Sequence, residues 1–105
     1  MKFDSVIYKL VAEIPEGKVT TYGDLARAAG KPAASRLVGQ ILNRNPNPIM
    51  APCHRVVKSD GDIGGYAFGS GAKMKLLKKE GVRISKGRIV DFENNRHRFS
   101  SSLLP

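Results

Sequence analysis

Residues 21–43 read TYGDLARAAGKPAASRLVGQILN and contain two short helical patterns joined by a tight turn. Thr21 followed by Asp24 resembles a capping box, so a first helix is expected to begin there and to end before Gly30. A second helix is predicted over about residues 33–43. Its predicted buried stripe consists of Leu37, Val38, Ile41 and Leu42. Such a pair is typical of a helix-turn-helix, although an ordinary helical hairpin gives the same pattern.

The composition and charge narrow the class of protein. A chain of 105 residues, 41% hydrophobic and 26% charged, predicts one folded domain, assigned to residues 1–92, with a frayed basic tail at 93–105. Eighteen Lys and Arg against nine Asp and Glu give a net charge of +9, which favours a nucleic-acid partner, a solvated basic surface being the alternative. No apolar run is long enough for a membrane span and no signal peptide is recognised, so an intracellular protein is expected.

The remaining patterns predict the elements around the helix pair. An apolar stripe of helical period predicts a helix over residues 3–11, and residues 19–21 are expected to form a linker. Residues 49–57 are interpreted as a loop or strand, and residues 59–71, with five glycines, as a turn-rich loop. A helix is predicted over residues 73–79 and a hairpin over residues 82–91. The expected fold class is therefore mainly α, a small helical bundle with a winged helix-turn-helix-like DNA-binding core and a short β-hairpin.

Cys53, the only cysteine, is the candidate nucleophile. It follows Pro52 and precedes His54 and Arg55, so a base and a cation that could lower its pKa or take its proton are its neighbours. A buried, unreactive cysteine is the alternative, because neighbours in a strand point to opposite faces. A single cysteine rules out an internal disulfide, and with two histidines it argues against a zinc site built from this chain alone.

Several short motifs occur in a fixed order along the chain. They are Thr21-Tyr22-Gly23, Ala34-Ser35-Arg36-Leu37-Val38-Gly39, Asn45-Pro46, Pro52-Cys53-His54-Arg55-Val56, Gly65-Tyr66, Lys75-Leu76-Leu77 and Glu80-Gly81. Together they resemble the O6-alkylguanine-DNA alkyltransferases, which repair alkylated DNA by moving the alkyl group onto their own cysteine. The resemblance runs from about residue 3 to residue 82, and the motif around Cys53 is its most specific part.

The resemblance implies a mechanism in which the alkylated guanine is flipped out of duplex DNA that is bound from the minor groove. Cys53 would accept the alkyl group, His54 would act as general base through a water, and Glu80 would orient that histidine. Asn45 would brace the active-site turn. Tyr22 would help to rotate the phosphate and would donate a hydrogen bond to the flipped guanine.

The resemblance also implies which residues contact DNA and which line the pocket. Arg36 would take the place of the flipped base within the stack, on a helix whose small residues allow close approach. The implied DNA-binding set is Arg36, Tyr22, Ala34, Ser35, Gly39 and Gln40. The implied pocket set is Tyr66, Val56, Ala67 and Pro52. Arg55 is expected to be structural or to face a phosphate, and His97 to belong to the tail.

The expected partner is double-stranded DNA carrying O6-alkylguanine, bound by a cytoplasmic (in a prokaryote, nucleoid-associated) monomer that needs no cofactor, metal or membrane. A second hypothesis is a non-catalytic alkyltransferase-like sensor that recruits other repair proteins. The length of the chain is typical of such sensors, whereas many alkyltransferases carry a further N-terminal domain; sensors, however, replace the cysteine that is present here. A third is a small helix-turn-helix regulator, which would bind spaced half-sites as a dimer.

Overall fold

Three helices pack around the first of two apolar cores. The computed structural model describes residues 2–45, 47 and 50–99, so Pro46 of the Asn45-Pro46 motif and residues 100–105 of the predicted tail lie outside the described residues. Helix α1 spans Phe3–Ala12, α2 spans Tyr22–Ala28 and α3 spans Ser35–Asn43. The buried residues of this core are Ile7, Leu10, Val11, Ile14, Leu25, Ala26, Val38, Ile41, Leu42, Ala51, Cys53 and Val56.

The helix pair has the predicted caps, with two corrections in α3. The Thr21 hydroxyl accepts a hydrogen bond from the Asp24 N–H at 2.9 Å, which confirms the N-cap of α2. Helix α3 begins two residues later than predicted, because the N–H of Ala34 still closes a turn onto the Lys31 carbonyl. Leu37 is 41% exposed and does not belong to the buried stripe. At 3.6 residues per turn it lies about 90° around the helix from the middle of that stripe.

Two short parallel strands join the helix pair to the segment that contains Cys53. Strand β1, Thr20–Thr21, pairs with β2, Val56–Val57, so the predicted linker is in fact a strand. A 3-10 helix over Cys53–Arg55 precedes β2, where the sequence suggested a loop or strand. This pairing brings the residues after Cys53 beside the N-cap of α2.

The C-terminal half surrounds a second, smaller core. Helix α4 spans Ser70–Lys79, strands β3, Ile84–Ser85, and β4, Arg88–Ile89, form the predicted antiparallel hairpin, and α5 spans Phe92–Asn95. The buried residues of this core are Val19, Val57, Ile63, Leu77, Val82 and Ile89. The mainly helical fold class is thus confirmed. None of the helices in the described residues has the length and apolar character that a membrane crossing requires.

The prediction of a frayed tail from residue 93 is corrected for residues 93–99. The Val19 N–H donates to the Asn95 carbonyl at 2.8 Å, and the His97 N–H donates to the Val19 carbonyl at 2.7 Å. The Arg96 guanidinium pairs with Asp24 of α2, 2.8 Å from Nε to Oδ2. The polar composition concealed this ordering, because the partners lie more than 70 residues away in the sequence.

Candidate active site

Cys53 begins the 3-10 helix and lines a pocket of about 490 Å³. Its residue is only 7% exposed, so the thiol is shielded while it still borders the pocket. The Cys53 N–H and the Asn45 side-chain amide both donate to the Ala51 carbonyl at 2.7 Å. The Asn45 side-chain oxygen accepts from the Asn47 N–H at 2.9 Å. These hydrogen bonds tie Asn45 to the turn before Cys53.

The pocket lies between the helix pair, the 3-10 helix and the glycine-rich loop. Its lining residues are Tyr22, Arg36, Gly39, Gln40, Leu42, Asn43, Cys53, Gly65, Tyr66 and Ala67. Seven of the sequence-based candidates therefore meet around one cavity. Of the four residues implied for the pocket, Pro52 and Val56 are buried but are not part of the lining. Val56 lies in β2 with its side chain in the first core, and the Pro52 carbonyl accepts the Arg55 N–H that forms the 3-10 turn.

A second groove of about 430 Å³ adjoins the pocket across α3. It is lined by Tyr22, Gly23, Ser35, Arg36, Gly39, Lys58 and Ser59. Arg36 is exposed and borders both cavities, whereas Ala34 is half-buried and borders neither. A Cβ at Gly39 would meet the Tyr22 ring at an ordinary 3.9 Å, so packing within the protein does not require glycine there. The small residues on the exposed side of α3 thus leave room for a binding partner to approach this helix.

A buried ion-pair cluster stands next to Cys53. His54 Nε2 lies 2.9 Å from Glu80 Oε2, and Arg55 bonds both oxygens of the same carboxylate, at 2.9 and 2.6 Å. Arg55 also donates to the Ile14 carbonyl at 2.7 Å, which identifies it as a structural cation. Glu80 is thereby held by two neighbouring side chains at the end of α4.

The cluster sets the protonation of its members. Burial lowers the pKa of His54 below its usual value, and this effect outweighs the opposing influence of Glu80. Burial alone would raise the pKa of Glu80, but hydrogen bonds from Arg55 and His54 lower it overall. At neutral pH the pair is therefore a neutral imidazole beside an ionised carboxylate, the state of a general base and its orienting group.

Two tyrosines complete the pocket. Burial raises the pKa of both Tyr22 and Tyr66, with a smaller contribution from Cys53, so both phenols are protonated donors at neutral pH. The Tyr66 ring stands edge-on to His54, with centroids 6.5 Å apart, and the centroid of the exposed Phe68 ring lies 5.4 Å from that of Tyr66. Tyr66 therefore links the loop wall of the pocket to His54.

Lys73 is a site residue that the sequence analysis missed. It is fully buried, and its ammonium donates to the carbonyls of Val56 at 2.7 Å and Gly65 at 3.0 Å. Burial lowers its pKa to about 8. The available signal was its position four residues before Leu77, on the apolar face of α4. Across the described residues, no three His, Cys, Asp or Glu side chains converge into a possible metal site.

Residues 2–82 match the family model described as "6-O-methylguanine DNA methyltransferase, DNA binding domain". The chain is 47% identical over 96 residues to a bifunctional methyltransferase/endonuclease of Thermoplasma volcanium, which covers 90% of this chain and 30% of that protein. It is 46% identical over 81 residues to a methylated-DNA–protein-cysteine methyltransferase of Homo sapiens, which covers 77% of this chain and 39% of that protein. The chain thus spans less than half the length of either relative.

A solved structure resembles the whole fold. S. pombe Atl1, in complex with damaged DNA containing O6-carboxymethylguanine, superimposes with a TM-score of 0.82 at 32% identity, over 93% of this chain and 99% of that one. The match of the family model to most of the sequence and the likeness of the fold lead to one conclusion. This chain belongs to the 6-O-methylguanine DNA methyltransferase family and contains its DNA-binding domain.

Proposed function

We propose that this chain binds duplex DNA, takes an O6-alkylguanine into its pocket and transfers the alkyl group to Cys53 in a single turnover. The observation that carries the proposal is that the only cysteine in the sequence lines the same cavity as Tyr22, Arg36 and Tyr66. The names of the relatives support it, since the human protein is a methylated-DNA–protein-cysteine methyltransferase and Atl1 was solved on DNA carrying an O6-alkylated guanine.

DNA would approach along α3. Gly39 and Ser35 present little bulk on this helix, and the net charge of +9 favours a polyanion. Arg36 borders both cavities and would fill the space that a flipped nucleotide leaves in the stack. The second groove, with Lys58 and Ser59, would take the backbone of the same strand.

The chemistry would be a displacement at the alkyl carbon. The Cys53 thiolate donates an electron pair to that carbon and forms the new C–S bond, while the bond between the carbon and O6 breaks and its electrons stay on guanine. Tyr22, whose raised pKa keeps it protonated, donates a hydrogen bond that stabilises the departing guanine. The thioether product has no route back to the thiol, so each molecule reacts once.

His54 would remove the thiol proton. Its Nε2 already contacts Glu80, so Nδ1 is the ring nitrogen left for the transfer, through a water as the resemblance implies. The lowered pKa keeps the ring neutral before the reaction, and the Glu80 carboxylate stabilises the imidazolium that forms. Arg55 holds that carboxylate in place through two hydrogen bonds.

The decisive experiment is an intact-mass measurement after incubation with a short duplex that carries one O6-methylguanine. We expect a gain of about 14 Da, one methylene, because a thiolate acceptor keeps the methyl group. Tryptic digestion should place the gain on peptide 45–55, which contains Cys53. The matched controls are Cys53→Ser with the same duplex and the natural chain with undamaged DNA, neither of which should gain mass.

The competing hypotheses predict different combinations of mass change and affinity for the lesion duplex. An unchanged mass together with tighter binding to the lesion duplex than to the undamaged duplex would establish a sensor that keeps its cysteine. An unchanged mass without any preference for the lesion would contradict both repair hypotheses and favour a regulator that binds specific sequences.

A further inference from the structure

Lys73 is the most unusual side chain outside the proposed chemistry. It is fully buried, and a buried ammonium costs several kcal/mol unless its donors are satisfied. In the described part of the chain no carboxylate pairs with it, and its partners are the backbone carbonyls of Val56 and Gly65. Its hydrogen bonds therefore join two separate backbone segments, one at Val56 and one at Gly65.

Those segments form two sides of the pocket. Val56 directly follows the 3-10 helix that contains Cys53 and His54, and Gly65 begins the wall that continues to Tyr66. Within the described residues, the bond from Lys73 to Gly65 is the one hydrogen bond between residues 65–68 and a secondary-structure element. A Cβ at Gly65 would meet no atom within 4 Å, so the backbone is open on that side, and the nearest packing contact along the loop is that of Tyr66 with the first core.

We propose that Lys73 is a positioning residue: its ammonium ties the backbone behind Cys53 to the backbone before Tyr66 and so fixes the width of the pocket. The inference rests on the proposed alkyl transfer. It deepens that proposal, because it assigns the geometry of the pocket to a helix, α4, that does not line it.

The charge of Lys73 is a separate matter from its hydrogen bonds. Cys53 in the 3-10 helix and Asp62 in the following loop favour the protonated lysine, and Lys73 in turn disfavours protonation of His54. Lys73 could thus act on the thiolate through space, without any effect on the loop. The two roles make different predictions for small reagents, which can reach the thiol through the pocket without having to fit it as a guanine does.

The test compares Lys73→Met with Lys75→Met, which removes the same charge from an exposed position of the same helix. We expect Lys73→Met to slow single-turnover methyl transfer from O6-methylguanine duplex by about 10- to 100-fold, the cost of small misplacements in an active site. Alkylation of Cys53 by iodoacetamide should be unchanged, and Lys75→Met should match the natural chain in both reactions. An unchanged transfer rate in Lys73→Met, or an equal fall in both reactions, would overturn the proposal.

Two further arms keep the test decisive. If circular dichroism shows that Lys73→Met does not fold, Lys73→Gln replaces it; its shorter amide can reach one carbonyl at most, so slower transfer is expected and a natural rate would contradict the role. If the natural chain itself transfers nothing, the proposed chemistry fails. The readout then becomes the ratio of affinities for lesion and undamaged duplexes, which Lys73→Met should lower if Lys73 shapes the pocket and should leave unchanged if it does not.

Discussion

Two carboxylates in this protein are each held by two basic side chains, and they differ in which partners they have and in how exposed those partners are. Glu80 contacts His54 and Arg55, and its side chain is 10% exposed. Asp24 contacts Arg96 and Arg27; its side chain is 17% exposed, and that of Arg27 is 58% exposed. Both clusters join residues that are far apart in the sequence: Arg55 and Glu80 are separated by 25 residues, and Arg96 and Asp24 by 72.

The identity and exposure of the partners decide what each cluster can do. In the buried cluster electrostatic interactions are poorly screened, so Glu80 influences the protonation of His54 as well as its orientation. Around Asp24, whose partners Arg96 and Arg27 are 20% and 58% exposed, water and salt weaken the same kind of contact, and this cluster fastens the C-terminal segment to α2. The same arrangement of charges is therefore part of the proposed chemistry in one place and a fastening in the other.

Removing the buried carboxylate should have the largest effect. In Glu80→Gln, His54 loses its orienting group and Arg55 loses its charged partner, so we expect transfer to fall about 100-fold or more. The free energy of unfolding should fall by about 3 kcal/mol, because a largely buried guanidinium remains without its anion. Single-turnover transfer and urea denaturation measure the two effects. Transfer at the natural rate by a folded Glu80→Gln variant would show that the cluster is structural only.

The buried cluster also shows how much of the site could be predicted from the sequence. The ordered motifs predicted His54 and Glu80 as a pair by resemblance, and the structure places them 2.9 Å apart. The capping signals at Thr21 and Gly30 and the period of the apolar residues predicted α1, α2 and most of α3. Helix caps and apolar periodicity are local features, so a single stretch of sequence contains the information for each helix.

What the sequence could not reveal depends on contacts between distant segments. The parallel pairing of Thr20 with Val56 turned an expected linker into a strand. Arg96 orders a segment whose composition suggested fraying, because its partner Asp24 lies in α2. The burial of Lys73 depends on two carbonyls in other segments of the backbone. In each case one partner has an ordinary sequence context, and only the tertiary arrangement gives it a role.

The second largest effect is expected from acid, which should lower the transfer rate by protonating His54 in the buried cluster. Because the pKa of His54 in the fold lies below its usual 6.5, the transfer rate should be constant at neutral pH and should fall as His54 becomes protonated, with a midpoint below 6.5. The stability that the neutral imidazole contributes is complete above pH 6.5 and is lost as pH decreases through the lower folded-state pKa. The contribution of Glu80, whose pKa is also lowered, disappears further down, below its usual 4.5.

A pH–rate profile of methyl transfer checks this assignment. Glu80 acts to raise the pKa of His54, so its removal should move the midpoint to still lower pH in the residual activity of Glu80→Gln. Asp24→Asn should leave the midpoint unchanged, since Asp24 is not among the groups that influence His54. A midpoint at or above 6.5 in the natural chain would contradict the role of His54 as a buried, neutral base.

Asp24, the carboxylate with the more exposed partners, should give the smallest effect. In Asp24→Asn the bond between the Thr21 hydroxyl and the backbone N–H of residue 24 is retained, so α2 keeps its N-cap and loses only the ion pairs with Arg96 and Arg27. Partly exposed pairs contribute up to about 1 kcal/mol, so the free energy of unfolding should fall by no more than that, and less at high salt. A double-mutant cycle with Arg96→Gln isolates the pair, and its coupling energy should decrease as salt is added.

Transfer should proceed at the natural rate, because nothing in this cluster borders the pocket. If transfer fell with stability nearly intact, the fastening of residues 93–99 would have to control how α2 presents Tyr22, and the contrast between a chemical and a structural carboxylate would no longer hold.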